Sequence, residues 1–308
     1  MNLPSWAQPA PLQPLNLGWL HAARIQVAIL RLDLIDPLVS GNKWFKLSEH
    51  LVHMRDQGMS GVMSLGGAHS NHLHALAAAG KRLDFKTVGL MCGHAQHTPT
   101  VDDLQAFGMQ LHWLGYGGYR ERHAPGFWAP WRAQYPDLLA VPEGGGGVEG
   151  ARGCRVLLDQ VREQLPALGW DDFDGWWLAV GTGTTLAGLV MAGGPPVYGA
   201  LAVPPGHGVP ENVQAIVGDA GGYELMDASR GGFAKVDEAL LAFMGAAEEE
   251  GRVPLEPLYT GKALLALQQH LHLFAPGTRL VFIHTGGLQG RRGFNTSFRK
   301  RPLGSAFL

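Results

Sequence analysis

The strongest constraint on this chain is a pattern of short apolar runs that stop at glycine or proline. Val62-Met63-Ser64-Leu65 runs into Gly66-Gly67, Val88-Gly89-Leu90-Met91 precedes Gly93, and Trp176 to Val180 precedes Gly181. Tyr198 to Val203 stops at Pro204, and Leu280 to Ile283 continues through His284-Thr285 into Gly286-Gly287. Runs that are apolar at nearly every position suit parallel strands covered on both faces. Stretches of helical period lie between them. Trp44, Leu47, Leu51 and Met54 repeat every three or four residues, Leu73, Leu76, Ala77 and Leu83 mark a second helix, and Lys262 to Leu273 a third. Strand alternating with helix predicts an α/β architecture with crossover connections. Sheets of this kind bind ligands in a crevice at the carboxyl ends of their strands, which is where these glycines stand.

Composition excludes several classes. Glycine is the outlier, at 44 of 308 residues, but it is clustered and not periodic, so neither collagen nor low complexity applies. Hydrophobic residues make up 46% and charged residues 16%, enough for a sizeable core and too little charge for disorder. The length allows one domain or two. No internal repeat is present, and the boundary signals are an aromatic, proline-rich stretch at 125–136 and a flexible glycine run at 142–147. A net charge of −2 with no long run of one sign predicts no nucleic-acid face. Arg291-Arg292 and Arg299-Lys300-Arg301 read as a solvated terminus. Cys92 and Cys154 form neither a disulfide framework nor a metal-type pair, which suits a reducing compartment. The N-terminal residues, with Pro4, Pro9, Pro11 and Pro14, show no basic-then-apolar leader, and no apolar segment reaches about 18 residues. A soluble cytoplasmic protein with no membrane partner is expected.

Three segments carry chemistry. Val180-Gly181-Thr182-Gly183-Thr184-Thr185 follows a strand and opens a helix, so backbone N–H groups and threonine hydroxyls can hold an anion. It lacks the Gly-Lys-Ser/Thr of a P-loop, and Leu186 stands where a dinucleotide fingerprint needs glycine or alanine. A phosphate monoester fits it better than a pyrophosphate; a tight turn without ligand is the alternative. In Ser40-Gly41-Asn42-Lys43-Trp44-Phe45-Lys46-Leu47, Lys43 stands at a helix start among apolar neighbours. Partial desolvation and the helix dipole lower its pKa toward a usable amine that can form a Schiff base with an aldehyde. A plain surface lysine is the alternative, and Lys46 reads as an anion contact or a solvated residue. In Gly66-Gly67-Ala68-His69-Ser70-Asn71-His72, Ser70 or Asn71 caps an alanine-rich helix, leaving the Ser70, Asn71 and His72 N–H groups for a carboxylate. His69, His72 and His74 have no acidic companion at zinc-type spacing, and 72 and 74 point apart, so no metal is predicted.

Taken in order, Ser40 to Leu47, Gly66 to His72, Pro142-Glu-Gly-Gly145, Val180 to Gly183, Tyr259-Thr-Gly-Lys262 and His284-Thr-Gly-Gly287 resemble the pyridoxal 5'-phosphate (PLP) enzymes of fold type II, the tryptophan-synthase-β superfamily. The resemblance is to the branch of D-cysteine desulfhydrases and 1-aminocyclopropane-1-carboxylate (ACC) deaminases, and it covers nearly the whole chain. It implies two open, mostly parallel α/β sheets with the active site in the cleft between domains. Residues 1–46 and 140–308 would form the larger, PLP-binding domain and 47–139 the smaller, in a homodimer. Lys43 would carry PLP, Asn71 would meet the pyridine 3'-oxygen, and Gly181, Thr182, Gly183, Thr184 and Thr185 would hold the phosphate. Ser70 would stand at the substrate carboxylate or the reacting face, and Tyr259 over the site.

Three departures from the branch stand out. Thr184 replaces a usual third glycine, Gly146-Gly147 replaces Ser-Asn, and Trp44-Phe45 replaces a pair that includes arginine. Thr260 and Thr285 stand where the deaminases have Glu and Leu. A neutral hydroxyl tolerates an unprotonated pyridine nitrogen and favours loss of a β-leaving group over cyclopropane opening. The reaction so implied is β-elimination from a small amino acid, D-cysteine giving pyruvate, ammonia and sulfide, with Lys43 or Ser70 taking the Cα proton and Tyr259 assisting the thiol. ACC deamination, racemisation, dehydration and PLP binding without catalysis remain alternatives.

Overall fold

The computed structural model describes residues 9–293. Ten strands form two sheets: β1 (Leu12–Pro14), β2 (Gln26–Arg31), β3 (Gly61–Gly66), β4 (Lys86–Met91), β5 (Gln110–Trp113), β6 (Leu138–Ala140), β7 (Gly175–Val180), β8 (Val197–Leu201), β9 (Tyr223–Asp227) and β10 (Arg279–His284). The larger sheet has the order β1-β2-β10-β7-β8-β9, parallel except for β1, and the smaller is the all-parallel β5-β4-β3-β6. The chain is therefore α/β with two mostly parallel sheets. All five apolar runs are strands, and helices occupy Asn42–Asp56, Asn71–Leu83 and Thr260–Gln269. The third helix ends four residues before Leu273, and a 3-10 turn at Leu271–Leu273 continues it.

The sequence explains the layering. In β7, adjacent Trp176 and Trp177 are fully buried and point to opposite faces, because side chains alternate along a strand. Trp176 belongs to the core beneath the Asn42–Asp56 helix, Trp177 to the core beneath Thr260–Gln269. Trp177 Nε1 donates to the Ala263 carbonyl at 2.8 Å, which satisfies its polar atom in an apolar layer.

Two boundary signals turn out to be structure. Phe127, Trp128, Trp131 and Tyr135 pack on Met63, Leu65, Val88 and Leu90, so the aromatic stretch covers one face of the smaller sheet. The glycine run after Pro142 is a buried turn, with a 3-10 helix at Glu143–Gly145 leading into the Gly147–Cys154 helix. Arg291 and Arg292 differ from the solvated reading: Arg291 pairs with Glu248 at 2.7 Å and Arg292 pairs with Asp103. Residues 299–301 lie outside the described residues.

Candidate active site

The lysine loop lies directly on the turn that follows β10. A side chain at Gly41 (φ +73°) would overlap the Thr285 carbonyl, and its Cβ would sit 2.9 Å from Gly286 Cα. Asn42 N–H donates to Thr285 O at 3.2 Å, which fixes the start of the Asn42–Asp56 helix. Lys43 Nζ donates to Asn42 Oδ1 at 3.0 Å, and Asn42 Nδ2 donates to Thr185 Oγ1 at 2.8 Å. Asn42 thus ties the lysine to the glycine–threonine turn. Its role was not evident in the sequence; its place between Gly41 and Lys43 was the available signal. Burial, followed by the charge of Lys46, lowers the Lys43 amine to about 7. Lys46, buried one turn further on, donates to Thr182 Oγ1 at 3.3 Å, and burial lowers it to about 8. Among the described residues, neither amine pairs with a carboxylate.

The turn after β7 supplies the opposite wall. Gly183 (φ +82°) precedes the Thr184–Met191 helix, whose first N–H groups have no acceptor within the helix. Thr182 Oγ1 and Thr184 Oγ1 are 3.0 Å apart, so Thr184 enters the loop as a hydroxyl bonded to its neighbour. Two uncompensated amines, a helix start and two hydroxyls converge here. Leaving buried positive charge unpaired is costly, and a phosphate at the helix start would compensate it. The residues present therefore fit PLP, with an amine for its aldehyde and an anion cradle for its phosphate.

On the smaller sheet, Ser70 caps the Asn71–Leu83 helix, its Oγ accepting from Leu73 N–H at 3.1 Å. The Ser70 N–H itself is donated to Gly67 O at 3.0 Å, which corrects the expectation that it is available to a carboxylate. Asn71 and His72 keep first-turn N–H groups with no acceptor inside the helix. Asn71 Oδ1 accepts from Gln289 Nε2 at 2.9 Å, a partner the sequence did not suggest. The Asn71 Nδ2 faces Gly287, where a Cβ would lie 2.6 Å away. Ser64 Oγ donates to Val141 O and lies 2.8 Å from His72 Nε2, so His72 carries its proton on Nε2; its buried Nδ1 has no partner. His74 instead bonds Asp103 at 3.1 Å, and His69 is exposed. Among the described residues, no three His, Cys, Asp or Glu side chains are grouped to hold a metal.

The fourth wall is the segment before the Thr260–Gln269 helix. Tyr259 lies against the glycine–threonine turn, 3.1 Å from where a Gly181 Cβ would be. Burial and the nearby Glu256 and Glu143 carboxylates raise its phenol well above the usual tyrosine value, so it is a protonated donor. Glu256 was not anticipated. Its carboxylate is buried and accepts from the N–H groups of Leu258 (2.9 Å), Tyr259 (2.5 Å) and Thr260 (2.8 Å). Burial nevertheless raises it to about 7. Thr260 Oγ1 accepts from Glu256 N–H at 2.8 Å and lies 3.3 Å from Glu256 O. The Thr285 hydroxyl has no partner among the described residues. Behind it, fully buried His284 reaches Pro254 O through Nε2 at 2.7 Å, with Nδ1 3.2 Å from both Gly286 N and Asp33 Oδ1.

The chain is similar along most of its length to several known proteins. The chain is 26% identical to the Pyrococcus furiosus protein "Putative 1-aminocyclopropane-1-carboxylate deaminase", covering 94% of this chain and 92% of that one. It is also 26% identical to the mitochondrial bifunctional D-cysteine desulfhydrase/1-aminocyclopropane-1-carboxylate deaminase of Arabidopsis thaliana, over 92% of this chain and 77% of the relative. Among solved structures, an ACC deaminase homologue superposes with a TM-score of 0.80 at 23% identity, over 95% of this chain and 93% of that one. Maize serine racemase gives 0.65 at 14% identity, covering 92% and 89%, so the fold is that of fold type II. The profile described as "Pyridoxal-phosphate dependent enzyme" matches residues 9–286, and the chain belongs to that family of PLP-dependent enzymes.

Proposed function

We propose that the enzyme carries out β-elimination on a small amino acid, with D-cysteine as the type substrate: D-cysteine and water give pyruvate, ammonia and hydrogen sulfide. The observation that carries this reading is the pair Thr260 and Thr285, a buried hydroxyl and an unpartnered one, with the neighbouring Glu256 carboxylate already accepting from three backbone N–H groups. Most of the acceptor capacity of that carboxylate is thus taken by its own backbone, which leaves the two hydroxyls as the favoured neighbours of a pyridine nitrogen. The Arabidopsis relative, which unites both activities in one name, supports the same substrate range.

Bound PLP supplies an electron sink for the electrons of the Cα–H bond. Lys43 is the residue we assign to hold PLP, and Asn42 orients its amine. Lys46, Gly181, Thr182, Gly183, Thr184 and Thr185 hold the phosphate, and Asn71 offers its Nδ2 to the 3'-oxygen. The Asn71 and His72 N–H groups bind the substrate carboxylate beside the Ser70 hydroxyl. Lys43 Nζ, with about half its population uncharged near neutral pH, takes the Cα proton, with Ser70 within the same wall as the second base. Tyr259 donates its phenolic proton to the departing sulfur.

The test is a substrate panel of D-cysteine, L-cysteine, D-serine, β-chloro-D-alanine and ACC, read by keto-acid and sulfide release. Turnover of D-cysteine above that of ACC is expected; faster turnover of ACC overturns the threonine reading. The family resemblance also supports a homodimer with 1–46 and 140–308 as the larger domain and 47–139 as the smaller, and the cysteine usage supports a reducing compartment such as the cytoplasm. Light scattering checks the dimer.

A further inference from the structure

Lys262 follows Tyr259 by three residues and belongs to the same motif, yet it does not face the lysine loop. It is 2% exposed, and its Nζ donates to three carbonyls, those of Ser229, Gly232 and Phe233, each at 2.9 Å. All three belong to the loop that leaves β9. Burial lowers this amine to about 8, so it is still mostly charged at neutral pH. No carboxylate forms an ion pair with it among the described residues; the converging carbonyl dipoles solvate the ammonium instead of water.

The anchored loop ends at a second unusual residue. Phe233 is 39% exposed, which is high for a phenylalanine, and its apolar partner is Tyr259: the rings meet edge to face, 5.6 Å between centroids at 64°. A continuous path therefore runs from the Lys262 ammonium through the Phe233 carbonyl and ring to the phenol that lies over Gly181.

We propose that Lys262 is an internal cation that fastens the 229–233 loop, and that through this loop Lys262 and Phe233 are positioning residues for the Tyr259 phenol. This rests on the reading of Tyr259 as the acid for the leaving group. A phenol displaced by a fraction of an ångström protonates a departing thiolate poorly, but chloride leaves without a proton.

The experiment compares D-cysteine with β-chloro-D-alanine in holoenzyme carrying Tyr259→Phe, Phe233→Ala or Lys262→Met. Phe233→Ala and Lys262→Met are expected to lower kcat on D-cysteine about tenfold at nearly unchanged KM, and to stay within about twofold on β-chloro-D-alanine. Phe233 is exposed, so its alanine variant tests the path even where Lys262→Met fails to fold. Lys262→Ala adds a readout independent of turnover: methylammonium chloride should raise its Tm above the value in sodium chloride, with no such difference in wild type. Equal losses on both substrates in Phe233→Ala and Lys262→Met, while Tyr259→Phe stays selective, would overturn the positioning role alone. Absence of a methylammonium response overturns the internal cation. Equal losses in Tyr259→Phe, or wild-type protein inert towards both substrates, sink the acid assignment and this inference with it.

Discussion

Two lysines one helical turn apart share a burial that water cannot relieve, and the charge of Lys46 makes Lys43 easier still to deprotonate. Lys43 is lowered to about 7 by burial first and by Lys46 second. In the PLP-free protein, acylation of Lys43 by acetic anhydride, mapped by mass spectrometry, should therefore rise with pH through about 7. Lys46→Met removes the neighbouring charge and should move that midpoint upward, towards the ordinary lysine value. A wild-type midpoint near 10.5 would contradict the burial argument. Borohydride reduction of the PLP-loaded protein should then fix the label on the peptide containing residue 43. The position of Lys43, after a glycine turn at a helix start, was legible in the sequence. Asn42, Gln289 and Glu256 were not, because an amide or carboxylate acquires its role from partners far along the chain or from backbone N–H groups, and neither leaves a spacing to read.

The glycine–threonine turn shows how an element is specified at a single position. Gly183 takes φ +82°, and a methyl group there would overlap Val213 on the Val209–Val217 helix. Gly183→Ala should cost about 2–4 kcal/mol from left-handed backbone strain plus overpacking, read as a lower urea midpoint. PLP affinity should fall with it, since the N–H groups of the next helix turn depend on this bend; unaltered affinity would remove the turn from the cofactor site. The turn and its helix were readable from glycine after an apolar run. Strands β1, β2, β5, β6 and β9 were not singled out. β2 does carry an apolar run, Val27 to Leu30, but it ends at Arg31 without the glycine that marked the others; β1 and β6 have three residues each, and β5 and β9 keep most side chains half-exposed. That the aromatic stretch at 125–136 packs on a sheet was not legible, because proline-rich composition looks alike in a linker and in a segment pressed on a sheet.

Across the whole molecule, buried histidines set the response to acid. Burial lowers the pKa of His50, His72, His74 and His284 below that of the unfolded chain. Below about pH 6.5 the unfolded chain binds more protons at these sites, so stability falls as pH drops through that value towards the folded ones. Glu256 acts in the opposite sense: its raised pKa of about 7 means the folded state gains a proton first, which adds stability as pH falls from 7 towards 4.5. Lys43, Lys46 and Lys262, whose amines burial also lowers, act in the same sense as the histidines, so a lower urea midpoint is expected at pH 5.5 than at pH 7.5 for the PLP-free protein; an unchanged or higher midpoint would mean that these groups are solvated. The α/β layering was visible from strand and helix alternation, whereas this titration balance depends on burial that no local pattern announces.

Gly41 and Gly286 touch backbone to backbone although nearly the entire chain separates them. A nascent polypeptide still lacking β10 has Lys43, the amine proposed to take PLP, but not the surface against which that residue is set. Vitamin capture should thus be a late event in biosynthesis, and fragments released before residue 286 should emerge colourless however much of the remainder has folded.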